Sequence, residues 1–130
     1  MTHQELVEAA RQAREHAHAP YSNFKVGAAL ECSDGRIITG CNVENSSYGL
    51  SMCAERVAIF KAISEGLHDF KQIAVIADTQ TPVRPCGACR QVISDLFPKH
   101  TAVIMANLND DIEVIPIDEL LPAPFDRSFF

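Results

Sequence analysis

Apolar residues return every three or four positions over residues 2–17. Leu6, Val7, Ala10, Ala13 and Ala17 recur at helical spacing, with Glu5, Glu8, Gln12 and Glu15 elsewhere on the wheel. An amphipathic helix is expected there. Thr2 followed by Glu5 gives its start a capping-box pattern, and Pro20 closes the helical region before a Tyr21-Ser22-Asn23 loop. The pattern then changes to strands. Residues 24–32 and 37–44 read as a hairpin around Ser33-Asp34-Gly35-Arg36, with Asp34-Gly35 as a two-residue turn. In that register Cys32 faces Ile37, Cys41 faces Ala28 and Glu44 faces Lys25, where an ion pair would be its plain structural role. Cys32 and Cys41 then share one face as small packing residues, and Asn42 and Glu44 point together from the other.

Residues 53–65 read as a helix that is apolar nearly all round (Val57, Ala58, Ile59, Phe60, Ala62, Ile63), closed by Gly66 in a C′ position. Such a helix is expected to be buried on more than one side, and in so short a chain one burying surface can be another subunit. Ile73–Ala77 and Ala102–Ala106 are continuous apolar runs, as central strands covered on both faces require. Residues 87–96 make a further helix, 112–115 an edge strand ending at Pro116, and 117–121 a short helix before the tail. The order α-β-β-α-β-α-β-β predicts an α/β fold: a five-stranded mixed sheet in a three-layer α/β/α domain spanning 1–130.

Composition narrows the partners. A chain of 130 residues holds one compact domain. Its net charge of −6 and lack of a Lys/Arg run argue against nucleic acid. No apolar run approaches the roughly 20 residues that span a bilayer, and no secretion signal is visible, so a cytoplasmic chain with reduced thiols is expected. Five cysteines, an odd number, favour thiols or metal ligands over a disulfide frame.

Cys86 and Cys89 stand at i, i+3 behind Pro85, where a helix begins. Alone, a Cys-x-x-Cys fits half a structural zinc site or a redox pair as well. Adding Cys53 changes the balance, because three thiolates leave a zinc coordination position open, as catalytic sites do. His3, His16, His18, His68 and His100 lie at no ligand spacing and read as solvated, which leaves water as the fourth ligand. Arg56, one turn from Cys53, or Arg90, beside Cys89, can donate to the thiolates. Glu55, two residues from Cys53, cannot share its helix face, so it fits a proton shuttle beside the metal better than a ligand.

Cys53-Ala54-Glu55 followed about thirty residues later by Pro85-Cys86-Gly87-Ala88-Cys89 resembles the zinc-dependent cytidine deaminase family, in its small homotetrameric branch. Phe24–Leu30 and Gly40–Asn45 extend the resemblance along most of the chain. A cysteine as first ligand, where nucleic-acid-editing relatives usually carry histidine, suggests a free-nucleoside enzyme. The resemblance implies one zinc per chain on Cys53, Cys86 and Cys89, with Glu55 moving protons. It implies ribose binding by Asn42 and Glu44, pyrimidine packing on Phe24, and a hydrogen bond to the base from the Ala54 backbone. It also implies a homotetramer whose pockets are completed by Tyr48 and Phe125 of neighbouring subunits; without it, Phe125 reads as a tail residue docking on its own core. The expected activity is deamination of cytidine and 2′-deoxycytidine in pyrimidine salvage. The alternatives are a blasticidin-type deaminase and a structural zinc module.

Overall fold

The computed structural model describes residues Met1–Phe130. The first helix, α1, runs His3–Arg14, and its capping box forms: Glu5 N–H donates to Thr2 Oγ1 at 3.1 Å while Thr2 N–H donates to Glu5 Oε1 at 3.0 Å. It stops three residues before the amphipathic pattern does. His18 is instead recruited by the strand region, donating to Asn42 O at 2.9 Å and accepting from Glu44 N–H at 2.8 Å.

Strands β1 (Val26–Cys32) and β2 (Ile37–Cys41) form the expected hairpin in a different register. Cys32 N–H donates to Arg36 O and Gly35 takes φ +92°, so the loop is a three-residue turn, Ser33 to Gly35, with glycine in the left-handed position. The extra turn residue slides the pairing by one: Ala28 faces Gly40 and Gly27 faces Cys41. A one-residue slip reverses faces. Cys32 joins the larger core, Cys41 lies on the opposite face, and Glu44 is not the partner of Lys25.

The remaining elements are α2 (Ala54–Ser64), β3 (Phe70–Ala77), α3 (Gly87–Leu96), β4 (Ala102–Asn107), β5 (Ile112–Pro116) and α4 (Ile117–Leu120). Gly66, at φ +86°, ends α2: Leu67 N–H reaches Ala62 O and Gly66 N–H reaches Ile63 O, the two bonds of a Schellman motif. The strands order as β2-β1-β3-β4-β5, with only the β3–β4 pair parallel and α3 as its crossover. This is the five-stranded mixed sheet the pattern predicts.

Helix α1 covers one face of the sheet through Leu6, Val7 and Ala10 against Ala29, Ala74, Ile76 and Ile104. Helices α2, α3 and α4 cover the other through Ala58, Ile59, Ile93 and Ile117 against Leu30, Ile73, Val75 and Met105. Each fully buried aliphatic side chain there contributes about 1.5–3 kcal/mol. Two glycines set how closely the layers approach. A Cβ on Gly27 would lie 2.0 Å from Ala10 O of α1, and one on Gly40 would lie 2.5 Å from Ala58 N of α2. The Gly40 contact seats α2, and with it the Cys53-Ala54-Glu55 stretch, against the sheet. Phe60 on its outer side stays 43% exposed, so within one chain α2 is not buried all round.

Candidate metal centre and active site

Cys53 is the N-cap residue of α2, Cys86 that of α3, and Cys89 sits in the first turn of α3. Both helices therefore aim their positive ends at the same sulfurs, the environment that favours thiolate over thiol. The three Sγ atoms lie within 4.8 Å of one another, and those of Cys53 and Cys86 are 3.8 Å apart. Two sulfurs bound tetrahedrally to one zinc at about 2.3 Å each would be separated by about 3.8 Å. The donor set thus fits zinc in both chemistry and spacing. Ligands from Cys32 or Cys41 are ruled out by their place in the hairpin.

Charge within the cluster centres on Cys53. Hydrogen bonding from Cys89, joined by the Arg56 guanidinium and the Cys86 thiol, brings its pKa down to about 5. Cys89 moves the opposite way, because its S–H serves Cys53 and because it is buried. Arg56 Nη2 lies 3.4 Å from Cys53 Sγ, and that contact raises the guanidinium's own pKa. Its Nε is buried without a hydrogen-bond partner. Arg90 does not turn to the thiolates. Its Nε donates to Pro85 O at 2.9 Å and its Nη1 to Leu120 O at 3.0 Å, tying the turn before Cys86 to the end of α4.

Glu55, in the first turn of α2, is 4% exposed. Burial, reinforced by the negative charge on Cys53, pushes its carboxyl up to about 7, where it can both take and give a proton near neutrality.

A cavity of about 240 Å³ opens beside the sulfurs, lined by Cys53, Ala54, Glu55 and Cys86 together with Phe24, Asn42 and Glu44. Ala54 occupies the first position of α2, where the backbone N–H lies ahead of the intrahelical ladder. Asn42 is buried, its Oδ1 accepting from Val26 N–H and its Nδ2 donating to Phe24 O, both at 2.8 Å. Glu44 accepts from the N–H groups of Tyr21 and Ser22, both at 3.1 Å, and from the Ser22 hydroxyl. These bonds, the hydroxyl's first among them, hold its carboxyl below the ordinary carboxylate range.

Of the site residues expected from the sequence, Phe24, Asn42, Glu44, Cys53, Ala54, Glu55 and Cys86 line this cavity, and Cys89 and Arg56 adjoin Cys53. Tyr48 and Phe125 do not line the cavity. Tyr48 is 69% exposed and meets Tyr21 edge-on, with ring centroids 6.0 Å apart. Phe125 does not dock on its own core either: it is 59% exposed and stacks on Phe129, with its carbonyl held by Gln91 Nε2 at 2.8 Å. Among the histidines, His100 is solvent-facing but paired, its Nδ1 lying 2.7 Å from Asp118 Oδ2. Sequence reasoning passed over Ser22 and the cavity-lining Val83 and Arg84. Arg84 carried one signal, its place directly before Pro85-Cys86; Ser22 carried none beyond its nearness to Phe24.

Residues 1–105 match the family described as cytidine and deoxycytidylate deaminase zinc-binding region. A cytidine deaminase of Halalkalibacterium halodurans is 57% identical over 96% of this chain and 95% of its own length. One from Sporosarcina psychrophila is 50% identical over 96% and 92%. The crystal structure of cytidine deaminase from Burkholderia pseudomallei superposes with a TM-score of 0.94 at 52% identity, covering 96% of this chain and all of that one. Fold and thiolate cluster define a zinc-binding deaminase. The chain belongs to the cytidine and deoxycytidylate deaminase family.

Proposed function

We propose that this protein hydrolyses cytidine and 2′-deoxycytidine to uridine and 2′-deoxyuridine, releasing ammonia. The observation that carries the reading is a buried carboxyl, Glu55, lining one cavity together with Cys53 and Cys86 of the three-sulfur zinc site and with Glu44. Cys53, Cys86 and Cys89 would hold the zinc, which when bound acidifies water and so supplies the nucleophile at neutral pH.

The residues of the chain do the rest. Phe24 packs on the pyrimidine, the Ala54 backbone hydrogen-bonds the base, and Asn42 and Glu44 bind the ribose hydroxyls. Glu55 takes a proton from the attacking water and gives it to N3, which makes C4 electrophilic, and the hydroxide oxygen adds there. Glu55 then carries that oxygen's remaining proton to the amino group. The C4–N4 bond breaks, ammonia leaves, and the carbonyl of uridine forms with its proton on N3. A carboxyl that titrates near 7 suits both transfers. Arg56 keeps negative charge on Cys53 through its contact at 3.4 Å.

The same reading takes residues 1–130 as a single deaminase domain, working as a cytoplasmic homotetramer in pyrimidine salvage. Exposed Phe60, Tyr48 and Phe125 support assembly, with Tyr48 and Phe125 completing pockets of neighbouring subunits.

The test is the ultraviolet absorbance of cytidine mixed with protein whose zinc content has been measured. The reading expects loss of the cytidine band with equimolar ammonia, stopped by a zinc chelator and restored by zinc add-back. Full zinc content with no turnover would move the protein to other amino-heterocycles, as a blasticidin-type enzyme, or to a structural role.

A further inference from the structure

Ser22 belongs to neither the metal site nor the cavity wall, yet it touches two residues of the proposed substrate site. Its hydroxyl donates to Glu44 Oε2, and the same oxygen accepts from Phe24 N–H at 3.0 Å. Its own N–H donates to Glu44 Oε1 at 3.1 Å. The loop that makes this possible is fixed from behind: Asn23 takes φ +57° and donates its N–H to Ala19 O at 3.0 Å. Left-handed Asn23 turns the chain so that the Phe24 N–H reaches back to the Ser22 hydroxyl, which itself meets the Glu44 carboxylate.

Phe24 has its backbone clamped by side chains on both sides. Ser22 takes its N–H and Asn42 Nδ2 takes its C=O at 2.8 Å. Glu44 receives three hydrogen bonds, and an ionised carboxylate has room for about four. Its carboxyl is thus locked in place, kept ionised, and left with acceptor capacity for hydroxyl donors entering the cavity.

Resting on the nucleoside reading above, we infer that Ser22 is a positioning residue that sets recognition of the sugar hydroxyls by coupling Glu44 to Phe24 through one oxygen. Without that hydroxyl, Glu44 keeps only its two backbone donors on Oε1 and can rotate, while Phe24 loses the bond that fixes its N–H. Recognition of a group by a prearranged charged acceptor is where such a loss is felt most.

The experiment measures kcat/KM for cytidine and for 2′,3′-dideoxycytidine, which lacks both hydroxyls, in wild type, Ser22→Ala and Ser22→Thr. Zinc content and thermal unfolding are followed in parallel. Ser22→Ala is expected to lose about tenfold on cytidine, the scale of one hydrogen bond to a charged group. It should lose less on 2′,3′-dideoxycytidine, where only the Phe24 contact with the base is at stake, so that discrimination between the two narrows, and Ser22→Thr should restore it. A merely structural role would lower both substrates together and leave the ratio unmoved. If alanine costs the fold, Ser22→Cys, which keeps the size and weakens the hydrogen bonding, must move the ratio the same way. A wild-type protein that discriminates, with Ser22→Ala and Ser22→Cys discriminating equally well, overturns the inference alone. A wild type that turns over neither nucleoside overturns it together with the function on which it rests.

Discussion

Cys53, Cys86 and Glu55, which line the cavity, and Cys89 beside them stand at or next to the start of two helices that are themselves packed into the larger core. Phe24, Asn42 and Glu44, which line the same cavity, stand outside any helix or strand, on chain held by side-chain hydrogen bonds. Helix N-termini fix direction through the backbone ladder and supply a positive field, which suits a group that must hold charge. Irregular chain held by side-chain bonds fixes acceptors one by one, which suits reading the hydroxyl pattern of a small molecule. On the proposed function, the first group carries the chemistry and the second the recognition. Variants at the two should therefore fail in different ways.

The largest effect is expected from the metal itself. Stripping zinc, or replacing the buried ligand with Cys89→Ala, should abolish turnover, and zinc add-back should rescue only the stripped wild type; ammonia release with metal quantification checks this. Next comes Glu55→Gln. Retained zinc with kcat lowered roughly 10²–10⁴-fold is the loss that a removed proton shuttle gives. Turnover within a factor of ten of wild type would remove Glu55 from that role. Arg56→Gln acts through Cys53 rather than on substrate. Its zinc affinity, read by competition with a chelator, should fall about 10–100-fold. Smallest in chemistry is Asn42→Ala, whose main consequence is two backbone groups, Val26 N–H and Phe24 C=O, left without their partner. Both groups are part-buried, so the loss of stability in denaturant unfolding is expected toward the low end of the about 1–3 kcal/mol that a buried unpaired group costs, with zinc content unchanged.

The same contrast explains what could be read from the chain. Helix-based features have a fixed pitch, so the i, i+3 spacing of Cys86 and Cys89 and the placement of Glu55 away from the ligand face translate directly into space. The apolar runs of β3 and β4 and the Thr2–Glu5 capping box were legible for similar reasons. The hairpin was not, beyond its existence. Asp34-Gly35 serves a two-residue turn and a three-residue turn equally; in the structure Gly35 but not Asp34 is left-handed and Cys32 pairs with Arg36, which is the longer one. That one residue moved Cys41 to the other face of the sheet and separated Glu44 from Lys25. Asn42 and Glu44 still arrive together in the cavity, because residues 42–44 leave the hairpin to pair with His18 and Met52. Ser22 was invisible because its bonds reach across 22 residues to Glu44, and nothing in local pattern encodes such a contact. Arg90 shows the reverse error: adjacency to Cys89 suggested a thiolate donor, whereas helix geometry carries its guanidinium to Pro85 O and Leu120 O.

The division between the two groups is tested most directly by crossing two variants with two substrates: kcat/KM for Glu55→Gln and Glu44→Gln, each on cytidine and on 2′,3′-dideoxycytidine, with zinc content held equal. The Glu55→Gln defect should be as large on the nucleoside without hydroxyls as on cytidine, since proton transfer at N3 and N4 does not involve the sugar. The Glu44→Gln defect should be about tenfold or more on cytidine, as for a lost charged hydrogen bond, and nearly vanish on 2′,3′-dideoxycytidine. Equal Glu44→Gln losses on both substrates would contradict the account, because the carboxylate would then serve the site's structure or its chemistry rather than the sugar.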